Sequence, residues 1–267
     1  MRSTKTTVKS LIKLKQEGKK ISMLTAYDFT IAKIIDSAGI DIVLVGDSLS
    51  NVFQGNDTTI PVTIEEMIYH AKAVVKGVKQ AFVVIDMPFG SYQVNVDAAL
   101  LNAIKIIKET NAPAVKLEGG IEIANTIFKI VSSGIPVMGH LGLTPQSIHQ
   151  LGSFELQATT KEAQDKILSD AIALENAGCF ALVLEKIPSS IAKIISSTLT
   201  IPVIGIGAGN HCDGQVLVIN DLLGLEPSFK PKFVRQYLNL NELITKAVAT
   251  YIEDVERGQF PNEHESY

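Results

Sequence analysis

Four carboxylates in this chain share one setting: each closes a short run of apolar residues. Asp47 ends "DIVLVGD", Asp86 ends "FVVID", Glu118 ends "AVKLE" and Glu185 ends "ALVLE". Two or three such acids gathered in a water-poor pocket cannot all stay ionised unless a cation joins them. Oxygen-only donors suit Mg2+ or a similarly hard ion, with water and substrate completing the octahedron. The plainer alternative is that Asp47 and Asp86 cap the turns that follow them, as aspartates often do. What separates the two readings is whether the acids fall at equivalent places in the fold.

The elements that carry them repeat. Short Val- and Ile-rich runs alternate with longer segments of helical period, the pattern of βα units around a parallel sheet. Strand candidates are "ISMLTAY" (21–27), "DIVLVGD" (41–47), "AFVVIDMP" (81–88), "AVKLEGG" (114–120), "PVMGHLGL" (136–143), "CFALVLEKI" (179–187), "PVIGIGAG" (202–209) and "GQVLVIND" (214–221). Thr63 with Glu66 makes a capping-box spacing, Asn95 is a candidate helix cap, and Gly178 suits a left-handed helix end. Only four residues part "GIGAG" from "GQVLV", so the seventh helix is missing or a mere turn, or the eighth strand begins later. Eight units in 267 residues favour a single (β/α)8 TIM barrel over an open doubly wound sheet. "GIGAG" comes late, lacks the full GxGxxG spacing and opens no helix, so it does not mark a dinucleotide fold. It lets a ligand approach closely or simply packs. The expected organisation is an N-terminal capping helix within 1–20, barrel strands and helices over 21–224, and closing C-terminal helices over 225–267.

In a parallel barrel, active sites lie at the carboxyl ends of the strands. Asp47, Asp86, Glu118, His140 and Glu185 fall at the ends of strands two to six. Side chains alternate along a strand, so Lys116 lies on the same face as Glu118 and one layer beneath it. A buried ammonium is costly without a partner, so Lys116 should meet a carboxylate or a bound anion. His140 could bind metal, bind substrate or be a neutral core histidine. His70, His149, His211 and His264 show no ligand spacing.

Composition narrows the class. Hydrophobic residues make up 46% and charged residues 19%, ample for a sizeable core, and the formal net charge is −4 with scattered basic residues. That argues against nucleic acid and anionic membrane as partners. The basic N-terminal stretch lacks the apolar core of a signal peptide, and no apolar run nears the roughly 20 residues of a membrane span. Two cysteines, Cys179 and Cys212, with no secretory signal suggest a cytoplasmic setting.

A run of motifs in fixed order extends over nearly the whole chain: "MLTAYD", "VGDSL", "MIYHAKAV", "DMPFGSY", "AVKLEGG", "MGHLGLTPQS", "VLE", "GIGAG", "DGQVLV", "KFVRQY" and "FPNEHESY". With them the chain resembles the ketopantoate hydroxymethyltransferase family. The resemblance implies a Mg2+-dependent barrel enzyme of pantothenate and coenzyme A synthesis, with one Mg2+ per subunit. It would transfer a one-carbon unit from 5,10-methylenetetrahydrofolate to 3-methyl-2-oxobutanoate, giving 2-dehydropantoate. Matched by motif, Asp47 and Asp86 are metal ligands and Glu118 completes the metal environment. Ser48 and Lys116, with the two aspartates, hold the keto acid, and Glu185 is the catalytic base. A cytoplasmic homo-oligomer, typically a decamer built as a pentamer of dimers, is also implied. "FELQATT" (154–160) departs from the Val-Gln-Gly-Arg-like stretch expected in the family, which bears on any folate contact there.

The chemistry suits the residues on its own terms. A 2-oxo acid can chelate Mg2+ through its carboxylate and ketone oxygens, which acidifies the neighbouring C–H. Two rival readings remain at this stage. A Mg2+-dependent lyase or mutase of phosphoenolpyruvate-like or 2-oxo acids would use the same acidic strand ends. An inert metabolite-binding barrel would have little use for Asp47, Asp86, Lys116 and Glu185 together.

Overall fold

The computed structural model describes residues 5–228 and 230–267; expectations touching residues 1–4 and 229 lie outside the described residues. The chain divides into two compact units, 1–218 and 219–267.

The first unit is a closed barrel of eight parallel strands in sequence order. They are β1 Ile21–Thr25, β2 Ile42–Val45, β3 Phe82–Asp86, β4 Ala114–Glu118, β5 Val137–Gly142, β6 Ala181–Glu185, β7 Val203–Ile206 and β8 Gly214–Leu217. All eight candidate runs form strands, each shorter than its sequence window. The last is cut most: "GQVLVIND" is extended only to Leu217, and Ile219–Leu223 is helical. Among the described residues no helix links β7 to β8, and β8 begins at Gly214 as drawn from sequence. A side chain at Gly214 would sit 2.4 Å from the Ile21 carbonyl oxygen, so only glycine lets β8 close on β1 there.

The barrel interior is filled by one side of every strand. Ile21 and Met23, Ile42 and Leu44, Phe82 and Val84, Ala114, Met138, Ala181 and Val183, Ile204 and Val216 form a single buried cluster. The rings of Phe82 and Phe180 meet edge to face at 5.4 Å within it. The helix Val8–Gln16 closes the amino end of the barrel, as expected, with Leu11 fully buried and Val8 and Leu14 packed on the same cluster. That helix starts with a reciprocal cap between Thr7 and Ser10.

Period 2 carries the interior side upward. Two residues past Val84 is Asp86; past Ala114 come Lys116 and Glu118; past Met138 comes His140; past Val183 comes Glu185. The register sets them side by side, pairing Asp86 with Lys116 and Glu118 with His140. The apolar fill thus gives way to charge at the carboxyl end of β3 to β6.

The outer helices begin and end where local chemistry dictates. Thr63 and Glu66 cap Ile64–Gly77 reciprocally, Asn95 accepts from the Ala98 N–H before Val96–Thr110, and Gly178 follows Lys161–Asn176 at φ +99°. The second unit holds Ile219–Leu223, the helix Leu240–Glu256 capped by Asn239, and a short turn at Glu263–Glu265. No helix among the described residues is long and apolar enough to cross a membrane.

Candidate active site

The apolar strand β2 runs into Gly46, Asp47 and Ser48. A Cβ at Gly46 would come within 2.8 Å of Ser48 Oγ, so glycine lets the chain fold back tightly at this point. The Asp47 N–H donates to Asp86 Oδ2 at 3.0 Å, which ties the end of β2 to the end of β3. Ser48 Oγ lies 2.8 Å from Tyr27 Oη, and His70 Nδ1 holds the Tyr27 carbonyl at 2.7 Å.

Lys116 points inward. Its ammonium is 3.0 Å from Asp86 Oδ1 and 3.6 Å from Glu118 Oε1, with both side chains about as buried as its own. The Asp86 approach is not angled as a hydrogen bond, which leaves Oδ1 buried with an open lone pair. His140 stands between two acids: Nδ1 is 3.0 Å from Glu118 Oε1, and Nε2 is 3.3 Å from Glu185 Oε2. Glu185 is only half-buried, with its side chain 18% accessible. Asp47, Asp86, Lys116, Glu118, His140 and Glu185 therefore join one chain of contacts, and Ser48 stands beside it, next to Asp47 in sequence.

Sequence reasoning assigned no role to three residues within this group. Gln146, in the Pro145–Ser147 turn after β5, donates from its carboxamide to Asp47 Oδ2 and from its backbone to Glu118 Oε2. Tyr92 Oη accepts from the Glu118 N–H at 3.1 Å and sits 2.7 Å from Gln146 Oε1. Tyr27 braces Ser48. They lie within "TPQS", "FGSY" and "TAYD", short motifs with no carboxylate pattern to flag them. The His140 ring lies between Glu118 and Glu185, a setting that suits a charged imidazole pairing the two acids. Two of the "GIGAG" glycines, Gly205 and Gly209, pack against their own chain. A Cβ at Gly205 would lie 2.9 Å from Cys212 Sγ, and one at Gly209 2.4 Å from Ser189 Cβ. In the divergent loop, the Gln157 N–H donates to the Lys186 carbonyl at 2.9 Å, and the Lys186 ammonium bonds the Phe154 carbonyl.

Charge in the site is unbalanced toward the acids. Burial, Asp86 and Glu118 push the Asp47 carboxyl well above the usual range. Burial also raises Asp86, although Lys116 opposes it. Burial works against Glu118 too, yet His140 and Lys116 hold it below its ordinary value. Burial and Lys116 oppose a charged His140, but Glu118 and Glu185 prevail and bring it to about 9. Lys116 is raised by Asp86, Glu118 and Asp47 in spite of its burial.

Among the described residues, no three His, Cys, Asp or Glu side chains are spaced to hold a metal ion alone. Mg2+ commonly takes only one or two carboxylates and fills its other positions with water and substrate oxygens. The crowded acids at Asp47 and Asp86, with the open lone pair on Asp86 Oδ1, fit such an ion. Both Glu118 oxygens already accept hydrogen bonds or charge, so its place is around the ion rather than on it.

The family model for ketopantoate hydroxymethyltransferase matches residues 5–263. A 3-methyl-2-oxobutanoate hydroxymethyltransferase from Chlorobium phaeobacteroides is 59% identical, over 98% of this chain and 96% of the relative. One of the same name from Phocaeicola vulgatus is 56% identical over the same shares. Among solved structures, a putative phosphonomutase from Burkholderia cenocepacia superposes with a TM-score of 0.65 at 12% identity, covering 92% of this chain and 98% of that one. That likeness speaks to the barrel alone.

Proposed function

The chain belongs to the ketopantoate hydroxymethyltransferase family and is an enzyme of that kind, and from this premise we propose how its residues act. The reaction is hydroxymethyl transfer to 3-methyl-2-oxobutanoate, giving 2-dehydropantoate, with 5,10-methylenetetrahydrofolate as the one-carbon donor and Mg2+ as the metal. The observation that carries this reading is the meeting of Asp47, Asp86, Lys116 and Glu118 at adjacent strand ends, with Glu185 reaching the same group through His140.

Asp47 and Asp86 would hold the ion. When bound, Mg2+ supplies Lewis acidity toward the keto acid's oxygens and so favours loss of the C3 proton. The remaining work belongs to the chain. Lys116, charged and nearly free of water, faces the negative charge that grows on the keto oxygen as C3 is deprotonated. Ser48 Oγ, braced by Tyr27, offers a hydrogen bond at the rim of β2. Glu185 takes the C3 proton, and the charged His140 beside it keeps the carboxylate turned inward. The carbon so activated bonds to the methylene carbon of the folate as one of that carbon's two C–N bonds breaks. Water then displaces the other nitrogen and supplies the hydroxyl. Tetrahydrofolate leaves with the proton taken from C3, returned by Glu185, and one from that water. A cytoplasmic homo-oligomer, with a decamer as the expected size, belongs to the same proposal and is tested by light scattering.

The assay is direct: purified protein, 3-methyl-2-oxobutanoate and methylenetetrahydrofolate, with Mg2+ and with a chelator. Product that forms only with metal and donor together supports the reading. Turnover without the folate, or undiminished turnover in the chelator, overturns that part of it.

A further inference from the structure

Gln146 is nearly as buried as the acids around it, at 4% exposure. Its carboxamide has two hydrogens to give and two lone pairs to fill, and all four are used. Nε2 donates to Asp47 Oδ2 at 2.9 Å and to the Met87 carbonyl at 2.9 Å. Oε1 accepts from Tyr92 Oη at 2.7 Å and from Gln93 Nε2 at 3.2 Å. Two acceptors stand on one side of the amide and two donors on the other, so its orientation has a single solution. The backbone N–H of the same residue donates to Glu118 Oε2 at 3.1 Å.

We infer that Gln146 is a positioning residue for the proposed metal pocket, which fixes Asp47 by one oxygen so that the other is presented to the cation. Tyr92 sets the direction in which Gln146 donates. Tyr92 Oη takes the Glu118 N–H and passes its own proton to Gln146 Oε1, its nearest acceptor. Gln146, Tyr92 and Glu118 thus close a ring of hydrogen bonds that holds the acids of β2 and β4 in one mutual orientation. Glutamate in place of Gln146 would set a carboxylate against Asp47, and a shorter asparagine would not span the same four partners. The inference rests on the reading of Asp47 as a metal ligand.

The test is Mn2+ binding, followed by the loss of the free-ion electron paramagnetic resonance signal, with thermal unfolding measured beside it. Gln146→Met keeps the length and removes the amide. Partners that orient a metal ligand are commonly worth about 10–100-fold in affinity, so the Mn2+ dissociation constant of the folded variant should rise by about that much. Tyr92→Phe should shift it in the same direction by less, and the double variant should be no worse than Gln146→Met alone. If Gln146→Met does not fold, Tyr92→Phe carries the test by itself. A folded variant that loses thermal stability yet binds Mn2+ within about twofold of the parent, a margin below that range, makes Gln146 purely structural and overturns the inference. If the parent chain takes up no Mn2+, the metal reading falls first and the inference with it.

Discussion

Both ends of this barrel bury acids, and the two ends treat them in opposite ways. At the amino end, acids from helix ends (Asp36, Glu175) and from strand starts (Asp41, Asp213) are answered by donors. Asp36 accepts the backbone N–H groups of Lys79, Gln80 and Ala81 ahead of β3. Asp41 accepts from the Ser22 N–H and hydroxyl, and Glu175 from Thr200 and Ile201 ahead of β7. Asp213 accepts from Lys15, Ser196 and the Val203 N–H. At the carboxyl end, Asp47 and Asp86 instead crowd against each other and Glu118, with Lys116 as the one ammonium among them, and burial raises both aspartates. A carboxylate surrounded by N–H donors stabilises the fold; one surrounded by carboxylates costs stability and waits for a ligand. Asp36 and Asp41 are buried, as Asp47, Asp86 and Glu118 are, so the identity of the partners, not burial, is what separates them.

The sharpest way to break this contrast is to remove one acid from each end. Asp47→Asn should lower turnover by at least about 10²–10³-fold, the range seen when one preorganised electrostatic contact is lost. Yet it should raise the melting temperature of the metal-free protein, because burial and two neighbouring acids oppose the charged form of Asp47 there. A fall in melting temperature would contradict the strain assigned to the mouth. Lys116→Met comes next. The ammonium would no longer meet the keto acid, and a hydrogen bond to a charged group is commonly worth about 1.5–3 kcal/mol. Calorimetry should therefore show keto-acid affinity reduced by about 10–100-fold, the same energy expressed as a ratio, with the barrel still folded.

Asp36→Ala should do the reverse. Three backbone donors lose their acceptor, Ala81's buried and those of Lys79 and Gln80 partly so. A buried unpaired donor costs about 1–3 kcal/mol, so the protein should lose roughly that much stability or somewhat more. Steady-state assays below its melting temperature should find turnover per folded molecule unchanged. A large drop in turnover would erase the distinction between the ends.

The smallest expected effect is a pH dependence. His140 titrates near 9 in the fold against 6.5 when unfolded. Its folded value is raised, so its stabilisation is full below about 6.5 and is lost as pH rises through about 9. Denaturant melts with a chelator present should show stability declining over that window, and His140→Asn should flatten the decline.

The strand ends were legible from sequence because fully buried parallel strands read as short apolar runs, and a charged residue at the end of one stands out. The strand-end positions of Asp86, Glu118 and Glu185, and of Asp47 just past β2, are legible in that way, and Lys116 follows from alternation one layer below Glu118. Gln146 and Tyr92 were not legible as site members. Their role depends on which loops meet above β4, a tertiary fact with no period or spacing in the chain. The strand drawn over 214–221 was overextended for a related reason. "VLVIND" is apolar enough for either state, and the helix begins within it, at Ile219. His140 resisted assignment because one histidine carries no spacing; its two carboxylate neighbours come from β4 and β6 and meet only when the barrel closes.

The central claim is that the crowded carboxyl end exists to remove a proton from C3 of a bound 2-oxo acid, with Glu185 as the base. Exchange of the C3 proton of 3-methyl-2-oxobutanoate with D2O, followed by NMR with Mg2+ and no folate donor, isolates that step. The parent protein should exchange it readily, and Glu185→Gln should be slower by about 10²–10⁴-fold while still binding the keto acid. Exchange at the parent rate in Glu185→Gln would put the base elsewhere and contradict the account.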